Sequence, residues 1–283
     1  MSVFLEYARR GRNAWWRYLL TLVLAFTLAI AAGLAVIALL DVLNLLPADF
    51  ADQVQNPGRP VAFFTANGVI FAVIIAGLAI AARLVQAKRF ADLLGAWSWR
   101  GFARGAAIWT AVLCLAALID FAIAPQGFRL SADARTPSLI AIALPMLAVQ
   151  TFAEEFLFRG YVTQGLLLAT KRVWAAALIS GLLFGALHIP NGGPQAASAA
   201  AFGVVMAFVA IRTGGIAFTW GLHLANNLFG AVVVVSGGDV FHNTPGLITQ
   251  TTPHLMWWDA GVGVAALAAV AVLVARGIAA PRA

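Results

Sequence analysis

Charge is what this sequence has least of. Of its 283 residues only 10% are Asp, Glu, Lys or Arg, against about a quarter in a soluble domain. With 62% hydrophobic residues and a mean hydropathy of +0.91, no stretch fits a soluble domain. There is a single cysteine, Cys114, and it lies in an apolar run. That excludes an intrachain disulfide and a cysteine-only metal site. No serine or cysteine stands at a spacing that couples it to a histidine, and the H-E-x-x-H signature of zinc helices is missing. No internal repeat is visible. The net charge of +7 does not point to nucleic acid, because the bases form no cluster on a soluble face. The first apolar run is too long for a signal-peptide core and lacks a cleavage site, so it reads as a retained helix.

What is present is a series of apolar runs long enough for helices rather than barrel strands. The fold class expected is all-α, a polytopic membrane bundle of about eight transmembrane helices: about 18–40, 61–82, 106–123, 137–169, 173–188, 195–211, 216–235 and 260–275. Residues 1–134 hold the first three helices and a basic segment, 135–235 a polar-motif core, and 236–283 a polar loop and the last helix. The segment 83–104 mixes Arg83, Lys88, Arg89, Arg100 and Arg104 with Phe90, Leu93, Leu94, Trp97 and Trp99, a pattern expected to lie in the interface as an amphipathic stretch. With eight spans, fourteen of the eighteen bases fall on the amino-terminal side of the membrane; Arg59, Arg129 and Arg135 fall opposite and Arg159 falls within a span. The positive-inside rule then puts both termini in the cytoplasm, of a multi-pass protein in the plasma membrane if the source is bacterial.

Within the fourth run stands Glu154-Glu155-Phe156-Leu157-Phe158-Arg159. Ionisable groups at this depth are costly, and the default reading is functional. Glu155 and Arg159 are four apart in the favourable order for an ion pair. Glu154 is rotated by about 100°, free to face a site while its neighbour is neutralised. The alternative is that all three are interhelical glue. Two histidines lie in predicted helices. His188 follows Phe184 by four residues, and His223 precedes Asn227 by four, one turn on along the same face. His242 and His254 fall in a loop. A carboxylate, two imidazoles and a carboxamide suffice to deprotonate a water and stabilise an oxyanion. The same groups, His188, His223 and Glu154, form a candidate ligand set for a divalent metal such as zinc. Counting along the helices puts His188 near the outer end of the fifth and Glu154 nearer the middle of the fourth. A shared site therefore requires the fifth helix to be short, tilted or sunk into the membrane.

The three stretches Glu154-Glu155-x-x-x-Arg159, Phe184-x-x-x-His188 and His223-x-x-x-Asn227, in that order on the fourth, fifth and seventh helices, resemble the CPBP family: the CAAX proteases and bacteriocin-processing enzymes, also called the Abi domain, which include type II CAAX prenyl endopeptidases. The resemblance covers about residues 135–235. It implies an intramembrane endopeptidase in which Glu154, with His188, activates water. Glu155 and Arg159 would support that carboxylate, and His223 and Asn227 would hold the oxyanion. Expected partners are membrane lipids and a membrane-anchored peptide or protein substrate. Two other readings use the same residues. One is a non-catalytic immunity or scaffold protein of this fold. The other is a proton-coupled transporter, which would show broken helices repeated in two halves, and none are visible. The sequence shows no element that recognises a lipid group on the substrate, and nothing in it fixes an oligomeric state; the Gly181-x-x-x-Gly185 spacing is expected to serve packing within the bundle.

Overall fold

A computed structural model describes residues 3–251 and 255–277; His254 and Arg282 lie outside them. The helices are α1 (Val3–Arg9), α2 (Trp15–Val42), α3 (Phe50–Gln55), α4 (Pro60–Gln86), α5 (Phe90–Leu94), α6 (Trp99–Ile123), α7 (Thr136–Glu155), α8 (Thr163–Thr170), α9 (Val173–Ala186), α10 (Gly193–Thr213), α11 (Ala217–Leu228) and α12 (Leu255–Ala275). A π-helical turn, Phe156–Val162, joins α7 to α8 without a break, and a second, Phe229–Val233, extends α11. Prolines in the first turn start α4, α7 and α10, where the missing N–H costs nothing. Among the described residues, long apolar helices are joined by the shorter apolar helices Val173–Ala186 and Gly261–Ala275. Five are long and apolar enough to cross a membrane: Trp15–Val42, Pro60–Gln86, Trp99–Ile123, Thr136–Thr170 and Gly193–Thr213. The protein is an all-α, multi-pass membrane bundle. Its last helix starts earlier than expected, so Asp259 is helical rather than in the preceding loop.

Helix lengths settle the depth problem. The continuous segment Thr136–Thr170 has 35 residues, about 52 Å at 1.5 Å per residue, well over the ~30 Å of hydrocarbon. α9 has only 14 residues and runs antiparallel to it. Thr163 Oγ1 donates to Ser180 Oγ at 2.9 Å, and the Phe158 and Phe184 rings meet edge to face at 5.0 Å. One turn further in this register, His188 comes level with Glu154. It lies just past the end of α9, in the turn before α10.

Small residues allow the close helix pairs. A Cβ at Gly181 would stand 2.3 Å from the Val204 backbone nitrogen, so this glycine serves the α9–α10 contact within the bundle. A Cβ at Gly221 would stand 2.0 Å from the Phe102 carbonyl oxygen, which fixes how closely α11, the helix of His223, approaches α6.

Two features depart from the expectation. At the end of the bundle that carries the acid-rich loops, three strands of three residues, β1 (Phe128–Leu130), β2 (Val234–Ser236) and β3 (Ile248–Gln250), form a sheet in the order β1-β3-β2. β3 is antiparallel to β1 and parallel to β2. Strands this short leave no readable alternation in sequence. At the opposite end, residues 87–96 do not lie flat in the interface as a simple amphipathic stretch. Lys88, Asp92 and Leu93 are buried, and Gly95 bridges Gly215. Charge is tolerated there because each group finds a partner. Lys88 Nζ donates to the Ala8 carbonyl at 2.7 Å and approaches Gln164 Oε1 at 3.4 Å. Asp92 Oδ1 takes Arg10 at 3.0 Å, and its backbone carbonyl takes Gln164 Nε2 at 2.8 Å.

This network fastens α1 onto the bundle and carries a pH dependence. Burial pushes the Lys88 ammonium down to about 8 from its ordinary 10.5, with Asp92 opposing. Above pH 8 the undocked lysine binds more protons than the docked one, so deprotonation favours docking. The docking equilibrium should tighten by up to about tenfold per pH unit as pH rises from about 8 toward 10.5. Below 8 that gain is lost. Hydrogen exchange of α1 amides, corrected for intrinsic rate, should show this protection rising in wild type and flat in Lys88→Met.

Candidate active site

The π-helical turn Phe156–Val162 begins immediately after Glu155. Such turns add a residue to the helical circuit and recur at functional sites. Around it, Glu155 and Arg159 are wholly buried, with Arg159 Nη1 3.1 Å from Glu155 Oε1. The guanidinium also lies over the Phe184 ring at 4.5 Å, a cation–π contact. None of its nitrogens meets an acceptor in hydrogen-bond geometry, so the pair is held by charge and by the aromatic face more than by directed bonds.

His223, on α11, links the two glutamates. Its Nδ1 lies 2.9 Å from Glu155 Oε1, the Nδ1–H donating to that carboxylate. Its Nε2 faces Glu154 Oε2 at 3.6 Å. Phe202 and Phe184 pack edge-on against the imidazole at 5.1 and 6.0 Å and hold its plane. Arg159 balances the buried charge of Glu155. Glu154 itself is the partly open member, its side chain 13% exposed against 0% for Glu155. Its Oε1 accepts from Gln150 Nε2 at 3.2 Å.

Glu154, His188, His223 and Asn227 all line one cavity of about 680 Å³. His188 makes no hydrogen bond or ion pair with Glu154. Its Nδ1–H donates to the Phe184 carbonyl at 2.8 Å, which leaves Nε2 as an acceptor. Asn227 takes Asn226 Nδ2 on its Oδ1 at 3.2 Å, and Asn226 Oδ1 takes the Trp109 indole N–H at 3.0 Å. This chain orients the Asn227 carboxamide and leaves its NH₂ without a partner among the described residues.

The structure therefore brings all six sequence-derived residues, Glu154, Glu155, Arg159, His188, His223 and Asn227, around one cavity or directly behind its wall. It pairs His223, rather than His188, with Glu154. The metal ligand set does not fit this geometry. Both His223 nitrogens face carboxylates, His188 stands apart from them, and among the described residues no three of His, Cys, Asp and Glu gather as a group that could hold a metal ion. Gln150, Asn226, Trp109, Gln195 and Asp239 also line the cavity and were not singled out from sequence. Gln150 was findable, four residues before Glu154 on the same helical face; Asn226 was adjacent to a chosen residue. Trp109 and Asp239 come from remote segments that give no signal.

Residues 136–229 match the family model described as type II CAAX prenyl endopeptidase Rce1-like, a span that holds all six residues. Across nearly the whole chain, the uncharacterized protein YyaK of Bacillus subtilis is 29% identical over 264 residues, covering 87% of each chain. No solved structure matches.

Proposed function

We propose, from the match of residues 136–229 to the type II CAAX prenyl endopeptidase Rce1-like model, that the chain is an intramembrane endopeptidase that hydrolyses a peptide bond close to a membrane anchor, using water as nucleophile. The observation that carries the mechanism is the His223 imidazole held between Glu155 at 2.9 Å and Glu154 at 3.6 Å.

Glu154, as carboxylate, takes a proton from water in the cavity, and the water oxygen bonds to the substrate carbonyl carbon. His223, anchored through Nδ1 to Glu155, and the free NH₂ of Asn227 supply hydrogen bonds to the oxyanion. As the C–N bond breaks, the proton passes to the leaving nitrogen, giving a carboxylate and an amine. His188 Nε2, across the same cavity, is an acceptor that orients the water. Arg159 offsets the charge of Glu155 beside it, and Glu155 fixes the His223 tautomer. No step is routed through a metal.

The cavity wall supports a membrane-anchored substrate. Its polar centre is flanked by Phe26, Phe71, Ile74, Leu113 and Leu267, from α2, α4, α6 and α12. The Phe26 side of α2 is exposed on the outside of the bundle, where lipid would stand. An orientation with both termini cytoplasmic is supported by the gathering of basic residues at that end.

The test is cleavage of a panel of membrane-anchored peptides by purified protein in detergent, comparing wild type with Glu154→Ala and His223→Ala, each with and without a chelator. Cleavage by wild type alone, unaffected by chelator, is the expected result. A peptide cut equally by all three proteins overturns the assignment of the site, and chelator-sensitive cleavage overturns the metal-free route.

A further inference from the structure

The cavity has a second polar end that the proposed hydrolysis does not use. Asp239, in the turn after β2, and Gln195, in the first turn of α10, both line it. Gln195 Nε2 reaches Asp239 Oδ1 at 3.4 Å. Its other amide atom, Oε1, is buried without a partner. Burial raises the Asp239 carboxyl above the ordinary range, with the nearby backbone amides of Val240 and Phe241 and the Gln195 amide opposing. Among the described residues no lysine or arginine pairs with it. The neighbouring His242 directs its Nδ1 to the Asp239 backbone carbonyl at 2.8 Å rather than to the carboxylate.

A carboxylate and an orphaned amide carbonyl on the cavity lining leave acceptors that no lysine or arginine pairs with among the described residues. The chemistry complementary to them is a donor-rich cation, an ammonium or guanidinium, which would satisfy both oxygens at once. Resting on the protease reading, we propose that Asp239 and Gln195 form a specificity subsite for a basic side chain of the substrate peptide, flanking the bond presented to Glu154.

A carboxylate near the first turn of α10 could also serve as a brace, favoured by the helix dipole. Asp239→Asn separates the two roles, since asparagine keeps an acceptor oxygen while losing the charge. The probes are membrane-anchored peptides identical except for lysine or norleucine at each position flanking the cut. Two readouts are taken: kcat/KM in an active background, and binding in a Glu154→Gln background, where cleavage is slow on the timescale of binding. Wild type is expected to favour lysine about tenfold or more at one position in both readouts. In Asp239→Asn the ratio falls to about one, and Asp239→Lys inverts it toward a glutamate-containing peptide. Equal use of lysine and norleucine by wild type, or a preference that survives Asp239→Asn, overturns the subsite while leaving the protease reading standing. A lysine preference in binding that needs Asp239, in a protein that cleaves nothing, supports the subsite and sinks the protease reading instead.

Discussion

Glu154→Gln should lower kcat by about 10²–10⁴-fold, the range for loss of a general base, while the protein keeps its melting temperature. The two halves of this result come from the same geometry. Glutamine at this position preserves shape, stays within reach of the Gln150 amide now 3.2 Å from Oε1, and leaves the Glu155–His223 bond untouched. It removes only the capacity to take a proton from water. Because Glu154 is partly open to the cavity and Arg159 pairs with its neighbour, no buried charge is orphaned by the change. KM for the best peptide of the panel should move little, since nothing in the apolar wall has changed. A variant that retains cleavage within a few-fold of wild type would remove Glu154 from the chemistry; one that fails to fold would assign it a structural role instead.

The second large effect is on stability. Arg159→Met leaves Glu155 buried with its counter-charge gone. Removing one partner of a buried pair costs about 3–5 kcal/mol, enough to take much of a typical protein's margin. Little folded protein should be recovered in mild detergent, as read by thermal unfolding and size-exclusion profile. The combined Glu155→Gln, Arg159→Met variant should regain most of that loss. The native pair is imperfectly satisfied to begin with, since Glu155 Oε2 and the three guanidinium nitrogens lack hydrogen-bond partners. Replacing both charges by neutral groups of similar volume removes two desolvation costs together. Activity, however, should not return. A glutamine at 155 no longer offers His223 Nδ1 an ionised acceptor, and the imidazole loses the partner that fixes its proton. If the double variant is as unstable as Arg159→Met alone, the stabilising element is the Arg159–Phe184 stacking at 4.5 Å rather than charge balance.

Hydropathy and spacing by themselves determined the class of fold and the polar core. A chain with 10% charged residues has to satisfy its backbone inside helices, and charges kept within such runs mark themselves out. The pairing of Glu155 with Arg159 followed from helix geometry alone, because partners four apart lie on one element. What the tertiary structure decided concerns partners on different elements. His188 comes level with Glu154 because a 35-residue helical segment is packed antiparallel against one of 14 residues, and a hydropathy profile does not record where two helices meet. His223 turns out to bridge both carboxylates because α11 approaches at a distance set by Gly221 against Phe102. Lys88 reads as an interfacial base, yet it is buried, since its acceptors come from Ala8 and Gln164, 80 and 76 residues away. Asp239 reads as an ordinary loop acid for the same reason, its partner Gln195 lying 44 residues upstream. Local periodicity encodes which residues share a face of one helix; which faces meet, and at what depth, is set by packing summed over the whole bundle.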